Sequence, residues 1–248
     1  MNEGLSDRRI AGWKSRAVLS AAIALLSANP AIPLSAQVGH NPGSSPYRDI
    51  PWHSGPVVFA GHLSGDRGTA DAGMSNARTT GVRWELNAGR TLLFQFTGAY
   101  LQGDRFIFNP SLDSTNPEKQ TGPHPSNIGM GEIAMQLKLT GGKSWHRFAP
   151  YVGTGLGLAF DIDSPGDTTH SGYTFGTKFT IDLMGGVRLY GRRHLMINLD
   201  GRLLWWKLKY PLSFHSPAPD GSRVLPFYQG LTDWTMHPWV SLGIGWNF

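Results

Sequence analysis

Eight segments between residues 57 and 248 alternate apolar side chains with polar or small ones at a period of two. In the second segment, for example, Val82, Trp84 and Leu86 alternate with Arg83 and Glu85. Successive side chains of a β-strand point to opposite faces, so each segment has one apolar face and one polar or small face. The pattern therefore predicts an all-β chain with an even number of strands.

The connections between these segments alternate in length. Long connections cover 65–77, 103–126, 162–172 and 211–233, and short ones cover 87–90, 141–143 and 191–193. Long loops at one end and tight turns at the other are typical of barrels that cross an outer membrane. The sequence therefore predicts an eight-stranded antiparallel transmembrane up-and-down β-barrel over residues 55–248, following an N-terminal signal peptide.

The two faces of the strands indicate which side meets lipid. The apolar face carries Phe, Trp and Leu along whole strands, and we expect it to face lipid; Val57, Phe59, Leu63 and Phe175 are assigned to it. A soluble sandwich or a lipocalin-like barrel is the alternative, because such a fold would show the charged face to water. In the membrane interpretation, the opposite face encloses a narrow interior in which charges of both signs pair across the lumen. The predicted interior charges are Arg83, Glu85, Glu132, Lys138, Lys178, Asp182, Arg188, Asp200 and Arg202.

The first 36 residues have the features of an export signal. A basic start is followed by the 11-residue apolar run 17–27, two prolines and the small residues Ser35 and Ala36. That order is typical of a secretory signal peptide. We place cleavage after Ala36, with Ala31 and Ala28 as alternatives; an uncleaved anchor and a twin-arginine signal at Arg8 and Arg9 fit the sequence less well. Residues 37–54 are rich in Pro, Gly and Ser and are expected to form a flexible linker on the periplasmic side, with a loosely packed plug as the alternative.

Composition excludes several classes of protein. The chain has no Cys, which excludes disulfide scaffolds and Cys-based metal or catalytic sites. It contains no uninterrupted run of about 20 apolar residues, which argues against a bundle of transmembrane helices. The net charge of +5 falls to +3 without residues 1–36, and the basic residues form no stripe, so nucleic acid is not an expected partner.

The last strand carries the most specific signal in the chain. Apolar residues alternate back from the final aromatic residue at Val240, Leu242, Ile244, Trp246 and Phe248. This strand resembles the C-terminal signal of bacterial outer-membrane proteins, which implies that the barrel-assembly machinery reads it. The strand and loop pattern of residues 54–248 is similar to small eight-stranded barrels of the outer-membrane protein A or outer-membrane protein W type. No motif selects one of these families.

Candidate catalytic and metal-binding residues are sparse. His53 and Ser54, and His215 and Ser216, are adjacent pairs, and adjacent side chains on an extended chain point apart. The nine histidines do not follow metal-ligand spacing, and Asp161 and Asp163 are a weak signal for a divalent cation. We therefore expect no catalytic residue, no metal and no cofactor.

The expected function follows from the barrel itself. We expect a monomeric scaffold in the outer membrane that presents its long loops outside and has outer-membrane lipid and the assembly machinery as partners. Two alternatives stay open: a narrow pore or hydrophobic-solute conduit, and a lipid A-modifying acyl hydrolase or transferase.

Overall fold

The computed structural model describes residues 45–50, 53–163, 171–191 and 194–246, and the residues from Pro46 onward form one compact unit. The predicted signal peptide lies outside the described residues. The strands are β1 (Tyr47–Asp49), β2 (Ser54–Leu63), β3 (Ala77–Asn87), β4 (Leu92–Phe108), β5 (Gln120–Lys138), β6 (Lys143–Trp145), β7 (Phe148–Asp163), β8 (Thr177–Tyr190), β9 (Leu195–Lys209) and β10 (Thr232–Trp246). Short 3₁₀ turns occur at Pro117–Lys119 and Leu212–His215. The described part of the chain contains no helix that is long and apolar enough to cross a membrane.

Eight of these strands close into a barrel. Their order is β2-β3-β4-β5-β7-β8-β9-β10, and β10 pairs with β2 to complete the ring. Each strand is antiparallel to both of its neighbours, as the sequence predicts. Closure leaves no unpaired edge along the wall, which is what a sheet in hydrocarbon requires, because an unsatisfied backbone group there costs several kcal/mol.

The two ends of the barrel differ as expected. The strands at one end, the short-turn end, join within a few residues, and those at the long-loop end join through extended connections. The predicted loop 103–126 is too long, however, because β4 continues to Phe108 and β5 begins at Gln120. Among the described residues, 120–126 pair only with β4, since β7 joins β5 from Asn127 onward. At such an edge a proline can sit in the ladder without breaking a second set of hydrogen bonds, so Pro123 and Pro125 do not end the strand.

Part of the segment predicted as a flexible linker is ordered. Tyr47–Asp49 form β1, which pairs antiparallel with β6 at the short-turn end. The Ile50 amide also donates to the Gly142 carbonyl at 3.0 Å. Backbone pairing, which side-chain periodicity does not reveal in so short a strand, holds these residues against the turn.

The outer wall of the barrel is apolar along its length. Exposed side chains on this wall are Val58, Val82, Trp84, Leu86, Phe96, Ile133, Met135, Leu137, Val152, Leu156, Leu158, Phe160, Phe179, Ile181, Leu183, Ile197, Leu199, Trp234, Met236, Val240, Leu242, Ile244 and Trp246. Soluble monomers rarely expose a contiguous apolar patch larger than a few hundred Å², and this wall is apolar around the whole barrel. The wall is therefore the lipid-facing surface, and the soluble alternative is wrong.

In β2, the first strand of the barrel, the inward and outward faces are the reverse of those predicted from sequence. Val57, Phe59 and Leu63 are buried inside the barrel, and Val58 faces outward with 62% of its surface exposed. Both phases of this strand are apolar, so its alternation does not identify the inner face. The inward assignment is possible because Phe59 lies opposite Gly81 and Gly243, whose missing side chains leave room for the ring.

Phe175 also faces inward, contrary to the sequence analysis. Gly176, at φ +62°, separates Phe175 from β8 and breaks the period-two alternation there. Phe175 consequently packs against Trp206 at a ring-centroid distance of 5.6 Å, whereas Phe179, on the strand proper, faces outward.

Candidate functional site

The barrel interior is divided into three layers that are visible along β9. Met196 lies near the short-turn end, Asp200 and Arg202 lie in the middle, and Leu204 and Trp206 lie toward the long-loop end. All five side chains point inward. We call these the lower apolar layer, the ionic layer and the upper apolar layer.

Arg202 is the centre of the ionic layer. Its guanidinium contacts Glu132, lies 3.1 Å from Asp182 Oδ2 and 2.6 Å from Asp200 Oδ1. It also donates to Gln95 Oε1 at 2.7 Å. One cation thus bridges three carboxylates from three different strands. The planar guanidinium can do so because its five N–H groups are fixed in a fork.

Arg188 forms the second centre. It donates to Glu85 Oε1 at 2.9 Å and to the side-chain oxygen of Gln136. Gln95 Nε2 donates to the same Glu85 oxygen at 3.2 Å, which connects this centre to Arg202. The guanidinium of Arg188 also lies over the Tyr151 ring at 4.0 Å.

Arg83 extends the layer toward β10 and the upper apolar layer. It contacts Asp200 Oδ1 at 3.5 Å, donates to Ser241 Oγ at 2.8 Å, and lies 4.0 Å from the centroid of Phe59. Tyr151 supplies a hydroxyl donor to Asp200 Oδ2 at 2.5 Å. The ionic layer is therefore one connected hydrogen-bonded network, in which stacking on aromatic rings contributes to holding the arginines.

The structure brings together seven of the nine interior charges named from sequence. Arg83, Glu85, Glu132, Asp182, Arg188, Asp200 and Arg202 belong to the network. Lys138 lies at the short-turn end, where its ammonium donates to Asn87 Oδ1 at 2.9 Å. Lys178 lies toward the long-loop end beside Phe175. The two lysines point inward but sit above and below the ionic layer.

The network also contains neutral residues that were not among the interior residues predicted from sequence. They are Gln95, Gln136, Tyr151, Asn198 and Ser241, all buried. Each occupies the inward phase of its strand, so the same alternation that selects the charges could have identified them. They supply further hydrogen bonds to the charged groups, for example from Gln95 to Glu85 and from Tyr151 to Asp200.

The apolar layers close the interior on both sides. The upper layer combines strand residues with residues of the long loops: Phe59, Leu63, Met74, Leu101, Ile128, Met130, Tyr173, Phe175, Leu204, Trp206, Leu208, Tyr210, Phe214, Leu225 and Trp239. Tyr173, Tyr210 and Phe214 stack there with centroids about 6 Å apart. The lower layer is smaller and contains Val57, Ala149, Tyr190 and Met196. The sequence does not predict this filling by the loops, because loop residues show no periodicity that would indicate which of them turn inward.

The ionic side chains have almost no contact with solvent. Those of Arg83, Glu85, Asp182, Arg188, Asp200 and Arg202 are completely buried, and that of Glu132 is 1% exposed. A conduit wide enough for water would give these groups accessible surface. A cavity of about 880 Å³ at the short-turn end is lined by residues of that end, including Asn87, Lys138 and Lys143. Among the described residues, therefore, no water-filled path passes the ionic layer.

In the described structure, no side-chain hydrogen bond joins His215 to Ser216. His215 Nε2 lies 3.0 Å from the Gln229 carbonyl, and the Ser216 amide donates to the Ser213 carbonyl at 3.1 Å. His237 is buried, with Nδ1 accepting from the Asp66 amide at 3.1 Å, so it anchors the β2–β3 loop. The described residues contain no group of three or more His, Asp or Glu that could hold a metal ion.

Outside the membrane, Asp220 holds two long loops together. Its carboxylate accepts from the amide and hydroxyl of Ser222 at 2.9 and 2.5 Å and from those of Ser114, both at 2.7 Å. Its own amide donates to Asp113 at 3.1 Å. The loop β9–β10 is thereby fixed to the loop β4–β5.

These hydrogen bonds, first of all that from the Ser222 hydroxyl, hold the pKa of Asp220 below its usual range. The pKa of Asp220 is thus lower in the folded protein than in the unfolded chain. The stability that its ionised carboxylate contributes is therefore complete above the ordinary Asp pKa, and it is lost as the pH falls through the folded pKa. We expect Asp220→Ala to speed protease cleavage of both loops at neutral pH, and wild-type loops to keep their protection down to acidic pH. Asp71→Asn, which neutralises an exposed pair with Arg67 and suits the positive φ of that residue, is the control. Equal cleavage rates in the two variants would contradict this role.

Four residues of the predicted assembly signal share one face of the last strand. Val240, Leu242, Ile244 and Trp246 all point outward and are exposed. Phe248, the fifth, lies outside the described residues. The four side chains are available on the lipid-facing surface of β10.

Among the known proteins compared with this chain, matches were found for solved structures alone. No family model and no curated protein matches the chain. The chain is similar to the outer membrane protein OprG of Pseudomonas aeruginosa, with a TM-score of 0.48, 12% identity and coverage of 81% of this chain and 99% of that one. It is similar to Neisserial surface protein A, with a TM-score of 0.44, 11% identity and coverage of 82% and 98%. It is also similar to the attachment invasion locus protein Ail of Yersinia pestis, solved with the heparin analogue sucrose octasulfate, with a TM-score of 0.37, 11% identity and coverage of 80% and 100%.

Proposed function

We propose that this protein is a bacterial outer-membrane scaffold, a closed barrel that presents a folded set of loops outside the cell. The single observation that carries the proposal is the sealed interior: complete burial of the central ion pairs between two apolar layers. A barrel of this kind holds its loops in place and leaves the lumen filled by side chains.

The outer membrane is the proposed location because strand-built walls of this kind are found there. The proposal includes export by the signal peptide of residues 1–36, insertion by the barrel-assembly machinery through the last strand, and a monomeric state. Heat-modifiable gel migration of the membrane fraction tests the location. A folded band that shifts on boiling supports it, and a product that stays dissolved without detergent overturns it.

The sealed lumen predicts that the barrel does not conduct ions. We expect the folded protein to give no steady conductance in planar bilayers, since an ion would have to displace the Arg202 network and then pass Trp206 and Trp239. Single-channel recording at neutral pH is the measurement, with a large porin as positive control. Steady conductance that changes in Arg202→Ala would support the narrow-pore alternative and overturn the scaffold proposal.

The loop surface supports a role in presentation. The β9–β10 and β4–β5 loops are joined through Asp220, and Phe214 and Leu225 pack into the upper apolar layer. A folded surface of this kind binds partners with less loss of conformational entropy than free loops would.

A further inference from the structure

Strands β8 and β9 separate before either of them ends. Their last backbone pair toward the long-loop end is Thr180 with Trp206, although β8 begins at Thr177 and β9 continues to Lys209. A cavity of about 240 Å³ lies in the gap, lined by residues 172–178 and 209–211. We call it the β8–β9 cavity.

Two lysines, Lys178 and Lys209, line this cavity. Lys178 is only 8% exposed, and its Nζ lies 5.5 Å from the centroid of the Phe175 ring. It forms no hydrogen bond or ion pair with any residue that the structure describes. Lys209 lines the same small cavity, and two cations that share such a cavity repel each other. An anion between them would relieve that repulsion and accept hydrogen bonds from both.

The frame of the cavity is fixed by contacts of its own. Tyr173 and Tyr210, on opposite sides, stack with centroids 6.2 Å apart. Ser213 Oγ donates to the Ser171 carbonyl, which joins the two segments that border the gap. The lysines are therefore presented by an ordered cavity, so binding an anion there requires little rearrangement.

The cavity lies where the apolar wall gives way to charge. Phe179 and Trp205 face outward on the adjoining strands, and the next outward positions of β9 are Lys207 and Lys209. Lys207 pairs across the sheet with Trp234, an exposed aromatic residue. Aromatic residues mark the interface of a membrane barrel, so the lysines beyond them lie at the level of lipid headgroups.

We propose that the β8–β9 cavity binds the phosphate group of an anionic membrane lipid. Lys178 and Lys209 donate to the phosphate oxygens, and Phe179 and Trp205 contact the acyl chains below. The inference rests on the proposed membrane location and names a lipid class for one face of the barrel. Continuity with the lipid-facing wall favours a lipid phosphate over a free one.

The test uses the full folded chain in phosphatidylcholine vesicles with trace spin-labelled phosphatidic acid or phosphatidylcholine. We expect the wild-type protein to retain phosphatidic acid preferentially, and Lys178→Gln with Lys209→Gln to lower that preference about fivefold or more. Lys207→Gln, which removes an outward charge beside the cavity, is the matched control and should cause less than half the loss. An equal loss in the control would mean diffuse charge attraction and would overturn the site.

Two further outcomes separate the possible failures. If inorganic phosphate alone protects the detergent-folded protein against heat, and the double variant abolishes the effect, the cavity binds a free anion and the lipid assignment is wrong. If the wild-type protein inserts as a heat-modifiable barrel but shows no preference for phosphatidic acid, only this site is refuted. If it does not insert, the proposed function fails instead.

Discussion

Replacing Arg202 with Met should destabilise the barrel by about 3–5 kcal/mol, because it leaves buried charges without their partner. Glu132, Asp182 and Asp200 all contact this guanidinium, and none of them has access to water that could take over its role. The measurement is the urea midpoint of unfolding in lipid vesicles, followed by gel mobility. Arg78→Met, at an exposed position of β3, should stay within about 0.5 kcal/mol of wild type.

A compensating variant distinguishes loss of charge balance from loss of packing. Adding Glu132→Gln and Asp182→Asn to Arg202→Met removes two of the abandoned charges and keeps their shape. We expect the triple variant to recover part of the lost stability, since replacing both partners of a buried pair is milder than removing one. A triple variant less stable than Arg202→Met alone would contradict this account of the ionic layer.

The barrel class could be predicted from sequence because lipid and a narrow interior impose opposite requirements on the two faces. Along β9 the outward residues Ile197, Leu199 and Leu203 alternate with the inward Asp200 and Arg202 over one uninterrupted strand. This alternation can be recognised in the sequence whichever strands pair with β9. The closed ring was predicted from this alternation together with the separate alternation of long and short connections.

The pairing inside the lumen could not be predicted in the same way. Arg202 meets Glu132, which is 70 positions away on a strand that is not its neighbour. That contact depends on the stagger and closure of the whole barrel, which period-two patterning does not determine. All nine charges named from sequence are buried, but the sequence prediction missed the buried Arg105 and gave no pairing partners, and Lys138 and Lys178 lie apart from the ionic network.

The wrong face assignments have local causes. β2 offers apolar side chains in both phases, so only the space opposite Gly81 and Gly243 decides that Phe59 points inward. Phe175 changes face because one glycine with positive φ interrupts the alternation. In both places the backbone or the free space at a glycine, and not the surrounding hydrophobic pattern, determines which way the aromatic side chain points.

Leu183→Arg provides a direct test of which solvent surrounds the wall. Leu183 lies in the middle of β8 and is 54% exposed. On a soluble barrel, an arginine at such an exposed position would change stability by no more than about 0.5 kcal/mol. In a bilayer, an arginine on the lipid face near the midplane costs about 2–4 kcal/mol. We therefore expect a lower urea midpoint and a smaller folded fraction in phosphatidylcholine vesicles.

The matched control is Leu212→Arg, which makes the same substitution in the 3₁₀ turn after β9, where Leu212 is 76% exposed. This turn lies in water in the soluble interpretation and at or beyond the headgroups, outside the hydrocarbon, in the membrane interpretation, so the control should match wild type in both. The contrast between the two variants depends on the medium, because both leucines are exposed and both become the same cation. If the two arginines had the same small effect, water would have to surround the apolar wall, and the membrane interpretation would fail. A penalty at position 183 alone identifies hydrocarbon as the solvent of the wall.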